Sequence, residues 1–224
     1  MLIVFDLDDT LIDTLGSITP FKLKKAVDKM IFHGLKIKNK EGEVNSLLAY
    51  DQNSPSCEKS LENFLENYED KKKYLTIALE AVYKDFDPQI KVIPHRNAPL
   101  ILANLRKDHK LALVTIGEEK VQYLKLKKAG IDCSLFSMID VIPNDKGSSY
   151  KKIINTLGVS SQDTWVCGDK LSTDLKPAKE LGCTTVLMKK GRGKNIICDH
   201  SFADYEIEEL EELKKIIGEG YGDK

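Results

Sequence analysis

Three carboxylates within four positions, Asp6, Asp8 and Asp9, follow directly on the apolar run Leu2-Ile3-Val4-Phe5. That run is mostly β-favouring and reads as a strand buried on both faces, so the acids arrive at a strand's end beside a core. Asp6 and Asp8 would share a face if the strand continued, and two like charges crowded there require a cation or a shared proton. The chemistry of the pattern is therefore metal binding or proton transfer. The plainer alternative is an acidic turn that stops a strand, where aspartate is common.

Further chemistry-bearing residues follow at later strand ends: Thr115, then Ile116-Gly117 at a helix start, Lys146, and Gly168-Asp169 with Asp174. In an open parallel sheet, ligands bind beyond the carboxyl ends of the strands, so these positions converge on one edge. Such a set suits phosphoryl transfer. Asp6 can attack phosphorus as a carboxylate nucleophile, and Asp8 can protonate the leaving oxygen and later deprotonate water. Thr115, Ile116 and the backbone N–H groups at the following helix start can hold phosphate oxygens, and Lys146 can neutralise the transferring group. Asp169 and Asp174, with Asp6, suit a small octahedral cation such as Mg2+. Taken singly, Thr115 is a strand-end residue, Lys146 part of an exposed loop, and Asp174 a helix cap. Their joint occurrence, in order and each at a strand end, points to one site.

The elements that must position them alternate in type. From Ala98 onward, helices at 100–107, 118–129, 148–157 and 174–181 are interleaved with strands at 111–115, 137–142, 164–167 and 184–188. A last strand is expected near Ser201–Ala203, then an acidic helix from Ile207 to Ile217 and a mobile tail from Gly218. This is the pattern of a mostly parallel sheet covered on both faces. Residues 15–91 show no clear strand and read as an inserted bundle of about four helices. In its first helix Thr19 suits the N-cap and Pro20 the first helical position, while Lys22, Lys24, Lys25 and Lys29 mostly fill the solvated face. Ser56 caps a later helix.

Composition limits the function classes. The chain has 224 residues, 42% hydrophobic and 31% charged, with a formal net charge of -1. No apolar run approaches bilayer length, the apolar start is too short for a secretory core, and the charge balance gives no general attraction to nucleic acid or membrane. Cys57, Cys133, Cys167, Cys183 and Cys198 are odd in number and unpaired in spacing, which suits reduced thiols in a cytoplasmic protein. His33, His95, His109 and His200 are too dispersed for a zinc site.

With these residues in place, the chain resembles the haloacid dehalogenase superfamily, in its phosphatase-type members with a helical cap between the first and second motifs. Phe5-Asp6-Leu7-Asp8-Asp9-Thr10 matches the first motif, Leu113-Val114-Thr115 the second, Lys146 the third, and Gly168-Asp169 with Asp174 the fourth. Two positions depart from the usual pattern. Gly147 replaces the proline that often follows the lysine, and Ile116-Gly117 replaces the commoner asparagine. The resemblance implies a Rossmann-like core (1–14 and 92–224), a helical cap (15–91) that sets substrate choice, and an aspartyl-phosphate on Asp6. Asp8 would be the general acid and base, its main-chain carbonyl completing a magnesium shell with Asp6, Asp169 and Asp174, and Thr10 would support the loop. The expected activity is a Mg2+-dependent phosphomonoesterase acting on a small phosphorylated metabolite. A phosphomutase of the same superfamily ranks second and a non-catalytic phospho-ligand-binding protein third. Enzymes that cleave carbon–halide bonds lack an acid at the Asp8 position. Lys22, Lys25 and Tyr50 are candidate cap contacts, and the pattern fits a monomer or a homodimer equally.

Overall fold

A strand of four residues anchors the sheet. In the computed structural model, which describes residues 1–195 and 201–219, β1 (Leu2–Phe5) lies between β2 (Lys110–Ile116) and β4 (Thr164–Gly168), parallel to both. Val4 is paired in register with Ala112 on one side and Val166 on the other. With β3 (Met138–Ile142), β5 (Thr184–Met188) and β6 (Tyr205–Ile207) the six-stranded order is β3-β2-β1-β4-β5-β6, all parallel. Strand order reverses between β1 and β4, the place where α/β sheets of this kind form their ligand crevice.

All four β1 side chains are fully buried, each contributing about 1.5–3 kcal/mol. Leu2 and Val4 join Ala112, Val114 and Val166, and pack with Tyr150, Ile153 and Ala178 of the crossover helices on one face. Ile3 and Phe5, pointing the other way, are equally buried, so both faces are covered. The chain divides into two compact units, Met1–Asp13 with Val92–Lys224, and Thr14–Lys91. Where it leaves and re-enters the first unit its segments run side by side: Ile12 bridges Pro94 and the Asp13 N–H donates to Ile93 O at 2.8 Å.

The second unit holds only helices: α1 (Thr14–Ser17), α2 (Thr19–Phe32), α3 (Lys40–Asp51), α4 (Cys57–Phe64) and α5 (Lys71–Tyr83). Leu23, Val27, Met30, Leu47, Leu61, Tyr74 and Ala78 give it a core of its own. Ser56 caps α4, its side chain accepting from the Lys59 N–H at 3.1 Å. Two expectations fail here. Thr19 is not an N-cap, because helical backbone already runs through Ile18, whose N–H bonds Thr14 O at 3.0 Å and whose carbonyl accepts from Lys22. Nor is Lys22 on a solvated face: it is buried, donating to Val82 O at 2.5 Å with its ammonium over the Phe86 ring. Lys25 pairs with Asp87 at 3.2 Å and Lys29 with Asp85, so these lysines fasten α2 to the segment after α5.

In the first unit, α6 (Ala98–Leu105), α7 (Glu119–Lys128), α8 (Lys146–Leu157), α9 (Lys176–Glu180) and α10 (Glu212–Glu219) cover the sheet. Two boundaries near the end of the chain differ from the sequence reading. The last strand is Tyr205–Ile207 and not 201–203, because Asp204 ties that segment to Thr185 and Tyr205 stacks on Trp165 at 5.3 Å. The final helix starts at Glu212 and not at Ile207. Ile207 pairs with Met188, and the Glu212 carboxylate accepts the Glu208 and Glu209 N–H groups at 3.0 and 2.7 Å, holding a turn open before the helix. Cys57, Cys133, Cys167 and Cys183 are free thiols. Cys198, His200 and the tail beyond residue 219 lie outside the described residues. No helix among the described residues is long and apolar enough to cross a membrane.

Candidate active site

Asp6 leaves the end of β1 with its N–H donated to Cys167 O of β4 at 3.0 Å. The strand ends at Phe5, so Asp8 is not delivered by strand alternation; a tight loop delivers it instead. Leu7 O accepts from Leu11 and Ile12 at 2.9 and 3.2 Å, and Asp9 takes the left-handed conformation at φ 59°. Thr10, wholly buried, lies 3.4 Å from Asp6 Oδ2 through its hydroxyl, which fits loop support.

Two clusters result. In the first, Asp6, Asp169 and Asp174 each offer a carboxylate oxygen within 4.8 Å of the others, all buried. Gly168 makes this possible: a Cβ there would come within 2.5 Å of Asp174 Cβ. Asp174 sits in one turn of π-helix, Leu171–Leu175, and accepts from the Lys170 N–H at 3.0 Å. Lys146 is the first residue of α8 and not part of an exposed loop; it is buried, and its ammonium lies 2.5 Å from Asp6 Oδ1 and 2.7 Å from Asp174 Oδ1. Asp145, capping α8 from a left-handed conformation, accepts from the Ser148 N–H at 3.4 Å and turns the chain inward at Lys146.

Burial pushes the Asp6 carboxyl up to about 6 against the opposing pull of Lys146, with Asp174 and Asp8 adding to the rise. Burial and the Asp174 charge likewise hold Asp169 well above the usual carboxylate range. At Lys146, burial acts to lower the ammonium, but Asp174 and Asp6 outweigh it and hold it well above the ordinary lysine range. Asp169 Oδ2 is buried without a hydrogen-bond partner. An orphaned carboxylate oxygen beside two further carboxylates, with the ammonium of Lys146 on the other two acids and that of Lys170 acting on Asp169, still fits an oxygen-seeking divalent cation.

The second cluster surrounds Asp8. Lys125 Nζ lies 2.7 and 2.8 Å from its two oxygens, and Gln122 Nε2 donates to Oδ2 at 3.1 Å. The same nitrogen lies 2.7 Å from Thr115 Oγ1 and 3.0 Å from Ile116 O, linking Asp8 to the end of β2. Thr115 is buried and Ile116 partly exposed. The Gly117 N–H, at the helix start, is committed to Ile142 O at 3.0 Å. No motif in the sequence marks Gln122 and Lys125. The available signal was their position: with Val121 and Leu126 they form the buried stripe of α7, two polar residues where a core-facing helix puts apolar ones.

Sheet order, strand-end acids and a buried lysine define a haloacid dehalogenase-type hydrolase. A family model described as haloacid dehalogenase-like hydrolase matches residues 1–182, and the chain belongs to that family. Over 96% of both chains it is 29% identical to the glyceraldehyde 3-phosphate phosphatase of Methanocaldococcus jannaschii. Among solved structures, a haloacid dehalogenase-type phosphatase from Thermococcus onnurineus superposes with a TM-score of 0.65 at 24% identity, covering 97% of each chain. The magnesium-bound hydrolase YfnB of Bacillus subtilis matches with the same TM-score at 19% identity, over 96% of this chain and 97% of its own.

Proposed function

We propose that the protein is a magnesium-dependent phosphatase that hydrolyses a small phosphate monoester through an aspartyl-phosphate on Asp6. The observation that carries this reading is the buried Asp6 carboxylate, held 2.5 Å from Lys146 and beside Asp169 and Asp174. An Asp6 oxygen attacks phosphorus, the ester P–O bond breaks, and Asp8, entering the cycle in its protonated form, gives that proton to the departing alkoxide. Asp8 then takes a proton from a water that attacks the same phosphorus, releasing inorganic phosphate and restoring the Asp6 carboxylate. Lys146 offsets the negative charge on the transferring group, and Thr115 and the Ile116 segment hold its oxygens. Asp6, Asp169 and Asp174 would hold the magnesium with the Asp8 main-chain carbonyl; when bound, the cation neutralises phosphate charge and acts as a Lewis acid. Choice among esters is assigned to the helical insert, acting as a cap. The names of the curated relatives make glyceraldehyde 3-phosphate the first ester to try.

The experiment is release of inorganic phosphate from glyceraldehyde 3-phosphate and a panel of small esters, with magnesium or chelator. The native chain should turn over with magnesium alone, and Asp6→Asn should lose at least about a thousand-fold in kcat. Turnover retained by Asp6→Asn would end the covalent mechanism.

A further inference from the structure

The two carboxylates of the first motif have separate cations. Asp6 is matched by Lys146, from the turn that starts α8, and Asp8 by Lys125, from the last turn of α7. Lys125 is 7% exposed, and burying an ammonium is costly unless a partner offsets the lost hydration. Its partner is Asp8, met at both oxygens. Gln122 is still more buried, and its amide nitrogen faces three acceptors: Asp8 Oδ2, Thr115 Oγ1 and Ile116 O. Its carbonyl oxygen has no hydrogen-bond partner, so the side chain serves here as a donor. One further contact fixes the arrangement: a Cβ on Gly117 would come within 3.2 Å of the Gln122 amide, so the turn after β2 is closed down on that side chain. The Asp8 carboxylate, by contrast, is not in the cluster that Asp6, Asp169 and Asp174 form.

We propose that Lys125, assisted by Gln122, is a positioning residue for Asp8. It holds the Asp8 carboxylate to the α7 side, apart from the cation-seeking cluster, so that Asp8 is kept for proton transfer and its place is tied to the phosphate-holding end of β2. The assignment rests on the phosphatase reading above. It does not make Lys125 a catalytic residue, since Lys125 acts through Asp8.

The test is a double-mutant cycle between Lys125→Met and Asp8→Asn. Steady-state turnover is followed with 4-nitrophenyl phosphate, whose leaving group needs no proton, so that the rate reads Asp8 in its second role, as the base that takes a proton from the attacking water, and the slow variants stay measurable. Lys125→Met should lower kcat about 10- to 100-fold with KM changed less than about three-fold, a part of what a positioned acid–base group supplies. In the Asp8→Asn background the same change should have almost no effect, and Lys125→Arg should restore most of the rate. Gln122→Met should show a smaller loss that also disappears with Asp8→Asn, and it serves if Lys125→Met fails to fold. Equal losses in both backgrounds, or a rise in KM with kcat unchanged, would overturn the assignment while leaving the phosphatase intact. Absence of magnesium-dependent release by the native chain would overturn both.

Discussion

Lys146 brings its ammonium to two of three buried carboxylates, Asp6 and Asp174, while the charge that opposes the rise at the third, Asp169, is that of the neighbouring Lys170. Opposite charge within about 4 Å favours ionised carboxylates, but burial opposes it, and at Asp6 and Asp169 burial prevails. The excess of acid over base is left for something else to neutralise, which is what an enzyme recruiting a divalent cation requires. The residue that lets the acids crowd so closely is Gly168, which packs directly against Asp174. Gly168→Ala should push Asp174 away, breaking its 2.7 Å ion pair with Lys146 and its bond from the Lys170 N–H. Overpacking of this kind costs about 1–3 kcal/mol. The expected outcome is a lower melting temperature, a weaker response to magnesium and at least about a ten-fold loss of phosphate release. A variant with unchanged melting and unchanged magnesium titration would show that the 168–174 contact does not shape the site.

At the scale of elements, the weakest-specified strand is β6, three residues long at the sheet edge. It is held by Asp204, whose carboxylate accepts from the Thr185 N–H at 2.9 Å and hydroxyl at 3.0 Å, and pairs with Lys179. Burial acts to raise this carboxyl, but the bonds from Lys179 and Thr185 outweigh it and hold it below its ordinary 3.8. A depressed folded-state value stabilises the fold above the unfolded value and is lost as the pH falls through the folded one. Asp204→Asn should therefore cost about 1 kcal/mol near neutrality, discounted for screening at this partly exposed group, and progressively less below about pH 4. Urea unfolding at neutral and acid pH checks this; a cost that does not shrink in acid would assign Asp204 a role that does not depend on its charge. The same strand shows what the sequence could tell. β1 was legible because a continuous run of β-favouring apolar residues is buried on both faces, and β5 because two β-branched threonines lead into the apolar run Val186-Leu187-Met188. β6 was not: its sequence Tyr205-Glu206-Ile207 carries no such run, and its place is set by Asp204 reaching Thr185, a contact 19 residues away. Asp6 and Asp169 were legible because they directly follow strands, and Asp8 and Asp174 because they come two and five residues after those acids in the same strand-end segments. Gln122 and Lys125 were hidden because a Gln and a Lys on a lysine-rich helix look like solvated surface until the burial of α7 is known. Lys22 misled for the same reason.

For the whole molecule, a core in each unit separates stability from chemistry. The helical unit is built around Leu23, Val27, Leu61 and Ala78, and the sheet unit around β1 and its neighbours, so the crowded acids are supported by packing that does not depend on them. The acids themselves are a liability: Asp169 is almost fully buried with one oxygen unpartnered, and such a group costs about 1–3 kcal/mol. A protein that tolerates this keeps a strained site for its function and draws its stability from elsewhere. The consequence is a pair of opposed effects. Asp169→Asn, which removes a buried charge from the acid cluster, should raise the melting temperature without magnesium, by roughly 2–4 °C per kcal/mol relieved. With magnesium the order should reverse: binding to the folded chain alone adds about 2.7 kcal/mol at a hundred-fold excess over Kd, and Asp169→Asn should forfeit most of that gain. Thermal unfolding of both proteins in chelator and across a magnesium titration gives the four values needed. If Asp169→Asn gained as much from magnesium as the native chain, Asp169 would not be a ligand; if it melted lower in chelator, the buried carboxylate would be a structural partner and not a charge awaiting its cation.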